Sequence, residues 1–379
     1  MAKFPKPSFS IDPFLLCLIA VVAAASLLPV RGVAAGWVDL AADLAVALLF
    51  FLHGAKLSRA AIVQGMGNWR LHALVLGSTY VLFPAIGLAL IALLQGWSNP
   101  WLLSGLLFLC LLPSTVQSSI AFTAIARGNV AAAVCSASLS NLLGIFVTPL
   151  LVALLMKADG GVGGGSAGSS WHSIWTITVQ LLLPFLAGHF LRPLIGGFVD
   201  RNKKILQPVD RGSILLVVYS AFSAAVVGGI WTQVGIGDLL GLVALSGVIL
   251  ALVMGANLIV ARMASLSRED FIVLLFCGSK KSLASGVPMA GALFAPAHVG
   301  LIVLPLMIFH QLQLFVCAVL AGRFQRAAIA AEAAVGLPRS EAEIGAAAAA
   351  VGMTIPEACM PGVVANMALL DKHAGNLRG

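Results

Sequence analysis

Gly278-Ser279-Lys280-Lys281-Ser282-Leu283-Ala284-Ser285-Gly286-Val287-Pro288 is the stretch on which the fold turns. Apolar sequence flanks it on both sides, from Phe271 to Phe276 and from Met289 to Phe294. Neither flank spans a bilayer alone, because a helix rises about 1.5 Å per residue and the hydrocarbon core is about 30 Å thick. Read as one segment, 271–294 does span, and both lysines then lie close to mid-depth. A lysine at a helix centre costs about 2.5–3.5 kcal/mol on insertion scales. Snorkelling would relieve that cost only near a helix end, which mid-segment lysines do not have. Two such lysines, beside two glycines and a proline, mark a place where function is to be sought.

The rest of the chain supplies the membrane. Its 379 residues are 60% hydrophobic and 9% charged, with mean hydropathy +1.04, against about 25% charged for a soluble domain. This composition defines an integral membrane protein. The net charge of +8 then follows from a basic cytoplasmic face and not from nucleic-acid binding. Five of the six cysteines (Cys17, Cys110, Cys135, Cys277, Cys317) fall in apolar segments with no C-x-x-C pair. They read as small buried hydrophobes, not as disulfides or metal ligands. Lys3, Lys6 and the apolar run from Phe14 imitate a signal peptide, but its removal would spoil the topology, so the segment is expected to be retained.

Windows of about 20 apolar residues predict ten helices, near 12–30, 38–55, 71–95, 101–126, 130–156, 173–195, 212–231, 238–262, 271–294 and 299–321. With the N-terminus inside, inner segments carry fifteen Lys and Arg residues up to Arg326, and outer loops only Arg31 and Lys157. That asymmetry is the positive-inside pattern and places both termini in the cytoplasm, the membrane being a bacterial-type inner membrane. The Gly/Ser-rich outer loop, within 157–172, divides the chain into 1–156 and 173–326, each with five helices. An odd count forces the halves into opposite orientations, as in inverted-repeat secondary transporters. The Ala-rich stretch 327–379 is expected to be a cytoplasmic tail, disordered or partly helical.

If the halves are repeats, the fourth helix should match the ninth. The fourth holds Leu112-Pro113-Ser114-Thr115-Val116-Gln117-Ser118-Ser119, a second polar run with a proline at mid-depth. Interrupted helices at corresponding places in both halves point to a transporter's binding site. Proline removes a donor and frees carbonyls, which membrane depth tolerates only inside protein or around a cavity. Freed carbonyls suit a cation, and half-helix N-termini suit an anion. The candidate set is therefore Pro113, Ser114, Thr115, Gln117, Ser118, Ser119, Gly278, Ser279, Lys280, Lys281 and Ser282. Pro113 as a simple kink is the bland alternative; Pro29, Pro84, Pro149, Pro184 and Pro305 are read as no more than kinks. In the fifth helix, Ser138 and Asn141 line the site or serve close helix packing.

Neighbouring helical residues point about 100° apart, so the two lysines share one cavity only where the backbone unwinds. One division has one ammonium on carbonyls at the crossing and the other facing substrate. A desolvated lysine that gives up its proton could instead carry it. Asp43 is the one acidic residue well inside a helix, a candidate for coupling or a plain helix-start residue. His310, with Gln311 and Gln313, lines the cavity or is satisfied by neighbouring helices.

These motifs, with Ala126-Arg127-Gly128-Asn129-Val130-Ala131 and Phe276-Cys277-Gly278-Ser279-Lys280-Lys281-Ser282-Leu283, resemble the bile acid:sodium symporter superfamily. The resemblance is nearest to its YfeH-like branch, which includes the member-seven-type proteins of solute carrier family ten, and covers roughly 8–326. It implies an all-α fold of ten helices in two inverted five-helix repeats, a panel and a core domain, and helices four and nine crossing at the substrate site. It also implies sodium as the coupling ion, but Phe276 stands where those symporters hold a sodium-binding glutamate. Lys280-Lys281 stand for their Gln-Asn pair, and Ala133 and Ala137 for two sodium-site hydroxyls.

The expected function is thus secondary transport of a small organic anion by alternating access, with the family's sodium sites altered. A channel or a non-transporting regulator of ion homeostasis is a second class. An intramembrane enzyme is disfavoured. The membrane-embedded histidines are scattered (His53, His189, His310), with no H-E-x-x-H, no paired aspartates and no G-x-S-x-G.

Overall fold

The computed structural model describes residues 13–56, 66–94, 96, 99–156, 171–334, 338 and 340–378, with some side chains omitted. Lys3, Lys6, Arg59 and the Gly/Ser-rich loop lie outside these. The described residues are helical, with no strand among them. In order they form α1 (Pro13–Leu27), α2 (Val33–Lys56) and α3 (Trp69–Leu93). Next come α4 (Pro100–Leu111), α5 (Gln117–Ile125), α6 (Val130–Leu155), α7 (Trp171–Arg201) and α8 (Lys203–Val227). The remainder are α9 (Ile236–Met263), α10 (Arg268–Gly278), α11 (Leu283–Leu293), α12 (Pro296–Ala334), α13 (Glu341–Ala350) and α14 (Met360–Arg378).

Among the described residues, eight helical stretches are long and apolar enough to cross a membrane, with Arg268–Leu293 counted as one despite its break. Leu16–Leu27 and Pro100–Leu111 are shorter apolar helices. The expected linker lies outside the described residues over 157–170. Beyond 327, the described residues are largely helical. The chain separates into two compact units, one of Asp12–Gly322 and one that contains Arg323–Gly379.

Within the larger unit the helices sort into two groups. α1, α2, α7 and α8 pack on one another, so this group draws one pair of helices from each half of the sequence. α2 and α7 approach to backbone contact at Gly54 and Gly188: a Cβ on either would overlap the carbonyl of Phe185 or Phe51. Small residues at such a crossing let dispersion contacts and backbone proximity replace the hydrophobic drive that lipid cannot supply. α3, α4, α5, α6, α9 and α10 form the second group.

Polar caps set where these helices start. Asn99 precedes Pro100 and accepts from the amide of Trp101 at 3.0 Å. Asn129 accepts from Ala132 at 3.0 Å, and Ser282 from Ser285 at 3.1 Å. Asp270 ties two caps together. Its two carboxylate oxygens accept from Asn68 Nδ2 at 2.9 Å and Asn129 Nδ2 at 3.0 Å. The starts of α3, α6 and α10 are thereby held at one point, which fixes the position of the break at the far end of α10.

Candidate functional site

Two interruptions face each other. Residues 112–116 separate α4 from α5, and 279–282 separate α10 from α11. Interruption frees carbonyls, and buried carbonyls need donors, so the partners of these groups define the crossing. At the first break, Leu111 O, at the end of α4, accepts from Thr148 Oγ1 at 2.8 Å, and Pro113 O accepts from the Ser282 amide at 2.9 Å. At the end of α10, Phe276 O accepts from Ser119 Oγ at 3.1 Å and Cys277 O from Ser114 Oγ at 2.5 Å. Gly278 O accepts from Ser78 Oγ at 2.9 Å, and Leu275 O from Ser279 Oγ. Ser114 and Ser119 of the first polar run thus serve the broken end of α10, and the Ser282 amide serves Pro113 in return.

Lys281 completes the network. Its Nζ donates to Thr79 O at 2.9 Å, Cys110 O at 2.9 Å and Leu112 O at 2.7 Å, using all three ammonium donors. The Phe83 ring centroid lies 4.0 Å from the same nitrogen, a cation–π contact. Local sequence explains why these carbonyls are free. Pro113 ends α4, leaving Cys110 and Leu112 outside its ladder. The turn Ser78–Leu82 is π-helical, with the Phe83 amide bonded to Ser78 O. In that register Thr79 O would accept from residue 84, which is Pro84 and has no N–H. Pro84 therefore does more than kink: it frees an oxygen for Lys281. The Lys281 backbone is pinned as well, its amide to Gln313 Oε1 at 2.8 Å and its carbonyl to Gln313 Nε2 at 2.9 Å. The same Gln313 amide lies 2.8 Å from His310 Nδ1, which is also 3.4 Å from Lys281 O, so His310 is held at the same point.

Lys280 is placed quite differently. It too is wholly buried, but its Nζ has no hydrogen-bond partner among the described residues. It lies 4.1 Å from the Phe122 ring centroid and 5.4 Å from that of Phe276. Neither lysine lines the large cavity of this unit.

That cavity, of about 410 Å³, lies between the two helix groups. On one side, the first break and the start of α5 contribute Thr115, Val116, Gln117 and Ser118, α6 contributes Val134, Cys135, Ser138 and Asn141, the start of α11 contributes Ser282 to Ser285, and α12 contributes His310. The first group contributes Phe14, Leu49, Phe50, His53, Lys56, Phe185, Gln207, Asp210, Arg211 and Ile214. One wall is thus rich in hydroxyls and amides, and the N-termini of both α5 and α11 open on it. The opposite wall is apolar, with a charged end where α2 finishes and α8 begins. Lys56 is ion-paired with Asp210 there.

Of the residues singled out from the sequence, Thr115, Gln117, Ser118, Ser138, Asn141, Ser282 and His310 line the cavity. Pro113, Ser114, Ser119, Gly278, Ser279, Lys280 and Lys281 lie behind it, in the crossing. Asn141 Oδ1 accepts from Ser285 Oγ at 2.8 Å, which joins α6 to α11. Asp43 is exposed on α2 and lines no part of the cavity. The charged end of the cavity was missed by sequence reading. Its signal is present, however: Leu49, Phe50, His53 and Lys56 fall on one face of α2, and Gln207, Asp210, Arg211 and Ile214 on one face of α8, at the 3–4-residue spacing of a helix stripe. Asp270 was missed too, since nothing local announces that one carboxylate serves two asparagine caps.

Long apolar helices, with two crossed and interrupted ones beside a cavity, define a polytopic membrane protein. The family model for SBF-like CPA transporters matches residues 12–326, and the chain belongs to that family, making it a multi-pass membrane transporter related to the bile acid:sodium symporters. It is 55% identical over 320 residues to the putative symporter YfeH of Escherichia coli, covering 83% of this chain and 93% of that protein. An uncharacterized protein of Pseudomonas aeruginosa is 56% identical over 321 residues, covering 85% and 95%. The sodium/bile acid cotransporter 7 of Mus musculus is 28% identical over 319 residues, covering 81% and 90%. The Escherichia coli and Mus musculus relatives carry transporter names, a putative symporter and a cotransporter.

Proposed function

We propose that the protein is a secondary transporter of a small organic anion, working by alternating access in a bacterial inner membrane. The observation that carries the reading is the cavity of about 410 Å³ onto which the N-termini of two interrupted helices, α5 and α11, both open. A helix N-terminus carries roughly half a positive charge and unpaired amides, and ligand cavities of this class hold about 300–1,000 Å³. Counting α1 and the interrupted pair α4–α5 with the eight long stretches, the chain crosses ten times in two inverted repeats. The sidedness of Lys and Arg sets both termini inside, and the cavity then faces the cytoplasm.

The same reading addresses sodium. The carbonyls at the first break that suit a metal cation are held by the Lys281 ammonium. A tethered charge takes the place of a dissociable one there, and transport proceeds without sodium at this crossing. The test is counterflow in proteoliposomes preloaded with an organic anion, in sodium and in choline medium. A carrier accelerates uptake of labelled anion against the preload in both media, whereas a channel gives no acceleration. Strict sodium dependence of the exchange would overturn the tethered-charge reading.

A further inference from the structure

Among the charges that line the cavity, one has nothing to do in the structure. Lys56 is paired with Asp210. His53 Nδ1 donates to Leu49 O at 2.8 Å, and His310 Nδ1 is engaged by Gln313. Arg211 has no ion pair or hydrogen bond among the described residues; its guanidinium lies 5.4 Å from the centroid of the Phe14 ring. Phe14 is itself a lining residue, so this cation–π contact holds the guanidinium beside the cavity wall while its N–H groups have no acceptor among the described residues. Such a planar, permanently charged fork matches the oxygens of a carboxylate, sulfonate or phosphate monoester. It sits eight residues into α8, about 12 Å along the helix axis, so it belongs to the cavity and not to a loop outside it.

We propose that Arg211 is the group that reads the charge of the transported solute, and that the solute is amphipathic, with its anionic head on Arg211. Its apolar body lies along Leu49, Phe50, Phe185 and Ile214, and neutral polar groups reach the hydroxyl and amide wall near Gln117 and Asn141. This rests on the organic-anion reading above, and it moves the anion's principal contact away from the two lysines of the crossing. Magnitudes favour the guanidinium over the helix ends. A hydrogen bond to a charged group is worth about 1.5–3 kcal/mol, and a helix terminus typically about 0.3–1 kcal/mol.

The test uses full-length protein in detergent and follows the ligand-induced rise in unfolding temperature. The probes are octanoate, naphthalenesulfonate and phenyl phosphate, each against its uncharged amide or ester. In the wild type an anion stabilises more than its neutral counterpart. Arg211→Gln weakens binding of the anion about ten- to hundredfold, as expected for about 1.5–3 kcal/mol, and leaves the neutral compound unchanged. Arg211→Lys keeps the preference for the anion with weaker binding, and it carries the test if the glutamine variant does not fold. Arg201→Gln, on an arginine outside the cavity, changes nothing.

If the wild type binds but does not prefer the anions, or binds none of the probes, the organic-anion reading falls. If it does prefer them and Arg211→Gln keeps the full preference, only the present inference falls. Equal losses for anion and neutral compound, or the same loss in Arg201→Gln, also overturn it, because they report packing or general surface charge.

Discussion

The two sides of the helix crossing make opposite use of the same side chain. Lys281 reaches toward α3 and the junction of α4 with the first break, where an out-of-register proline and an interrupted helix leave three carbonyls for its three donors. Lys280 reaches toward α5, after that break, and finds two aromatic rings and no acceptor among the described residues. Both are wholly buried, so burial does not distinguish them; the supply of freed backbone oxygen does. A lysine at membrane depth is stabilising where irregular backbone surrounds it, and is an unsolved cost where the surrounding helix is intact.

The largest expected effect comes from breaking the satisfied side. Lys281→Met strips the donors from three buried carbonyls, at about 1–3 kcal/mol for each group left without a partner. Thermal unfolding in detergent should show a loss of several kcal/mol in total. The shorter Lys281→Ala sharpens the comparison, because it leaves the carbonyls and the Phe83 face around a vacant volume. Sodium or potassium then occupies the place of the ammonium, and the alanine variant becomes more stable in sodium or potassium chloride than in choline chloride. Wild type shows no such difference. An alanine variant indifferent to the cation would mean that the three oxygens do not form a basket without the lysine to gather them.

A middle effect tests the group that carries no break. Gly188→Ala places a methyl against the Phe51 carbonyl, and backbone offers no rotamer by which to yield. Overpacking of this kind costs about 1–3 kcal/mol, read as a lower unfolding temperature. Because α2 and α7 belong to the other helix group, this loss should add to that of Lys281→Met with little coupling. Strong non-additivity would mean that the two groups unfold as one packed body.

How much of this could be read from the sequence follows from where the causes lie. The breaks at Pro113 and at Gly278–Ser282 were legible because a polar run inside an apolar segment is a local violation of the membrane's demands. The exposed-or-buried fate of Ser114, Ser119 and Ser279 was not. Each donates to a carbonyl, in two cases across the crossing, and spacing along one chain does not say which broken helix a hydroxyl will serve. Pro84 looked like an ordinary kink because its consequence depends on a π-helical turn, a register that composition does not encode. The division of labour between the lysines was open for the same reason. Adjacent residues on unwound backbone diverge, and only the partners decide which becomes structural. Asp43, singled out because it alone is acidic well inside a helix, lies exposed on α2: rarity in the sequence carries no information about facing.

The smallest expected effect tests the unsatisfied side, and it is informative because it is small. Lys280→Met keeps the unbranched stem, fills nearly the same volume between Phe122 and Phe276, and removes an ammonium that no oxygen accepts. Met also makes favourable sulfur contacts with aromatic rings. Replacing buried charge by well-packed apolar groups is often neutral or stabilising, by about 1–4 kcal/mol, so the variant should unfold at or above the wild-type temperature. The same substitution one residue further on is the most damaging one named above. Should Lys280→Met instead cost as much as Lys281→Met, the symmetry of the two results would mean that Nζ of Lys280 has an acceptor in solution, most simply a water or an anion admitted between α5 and α10. An anion in that position would stabilise the wild type and not the methionine variant. Repeating the unfolding measurement on both in chloride and in gluconate separates that case from a bound water.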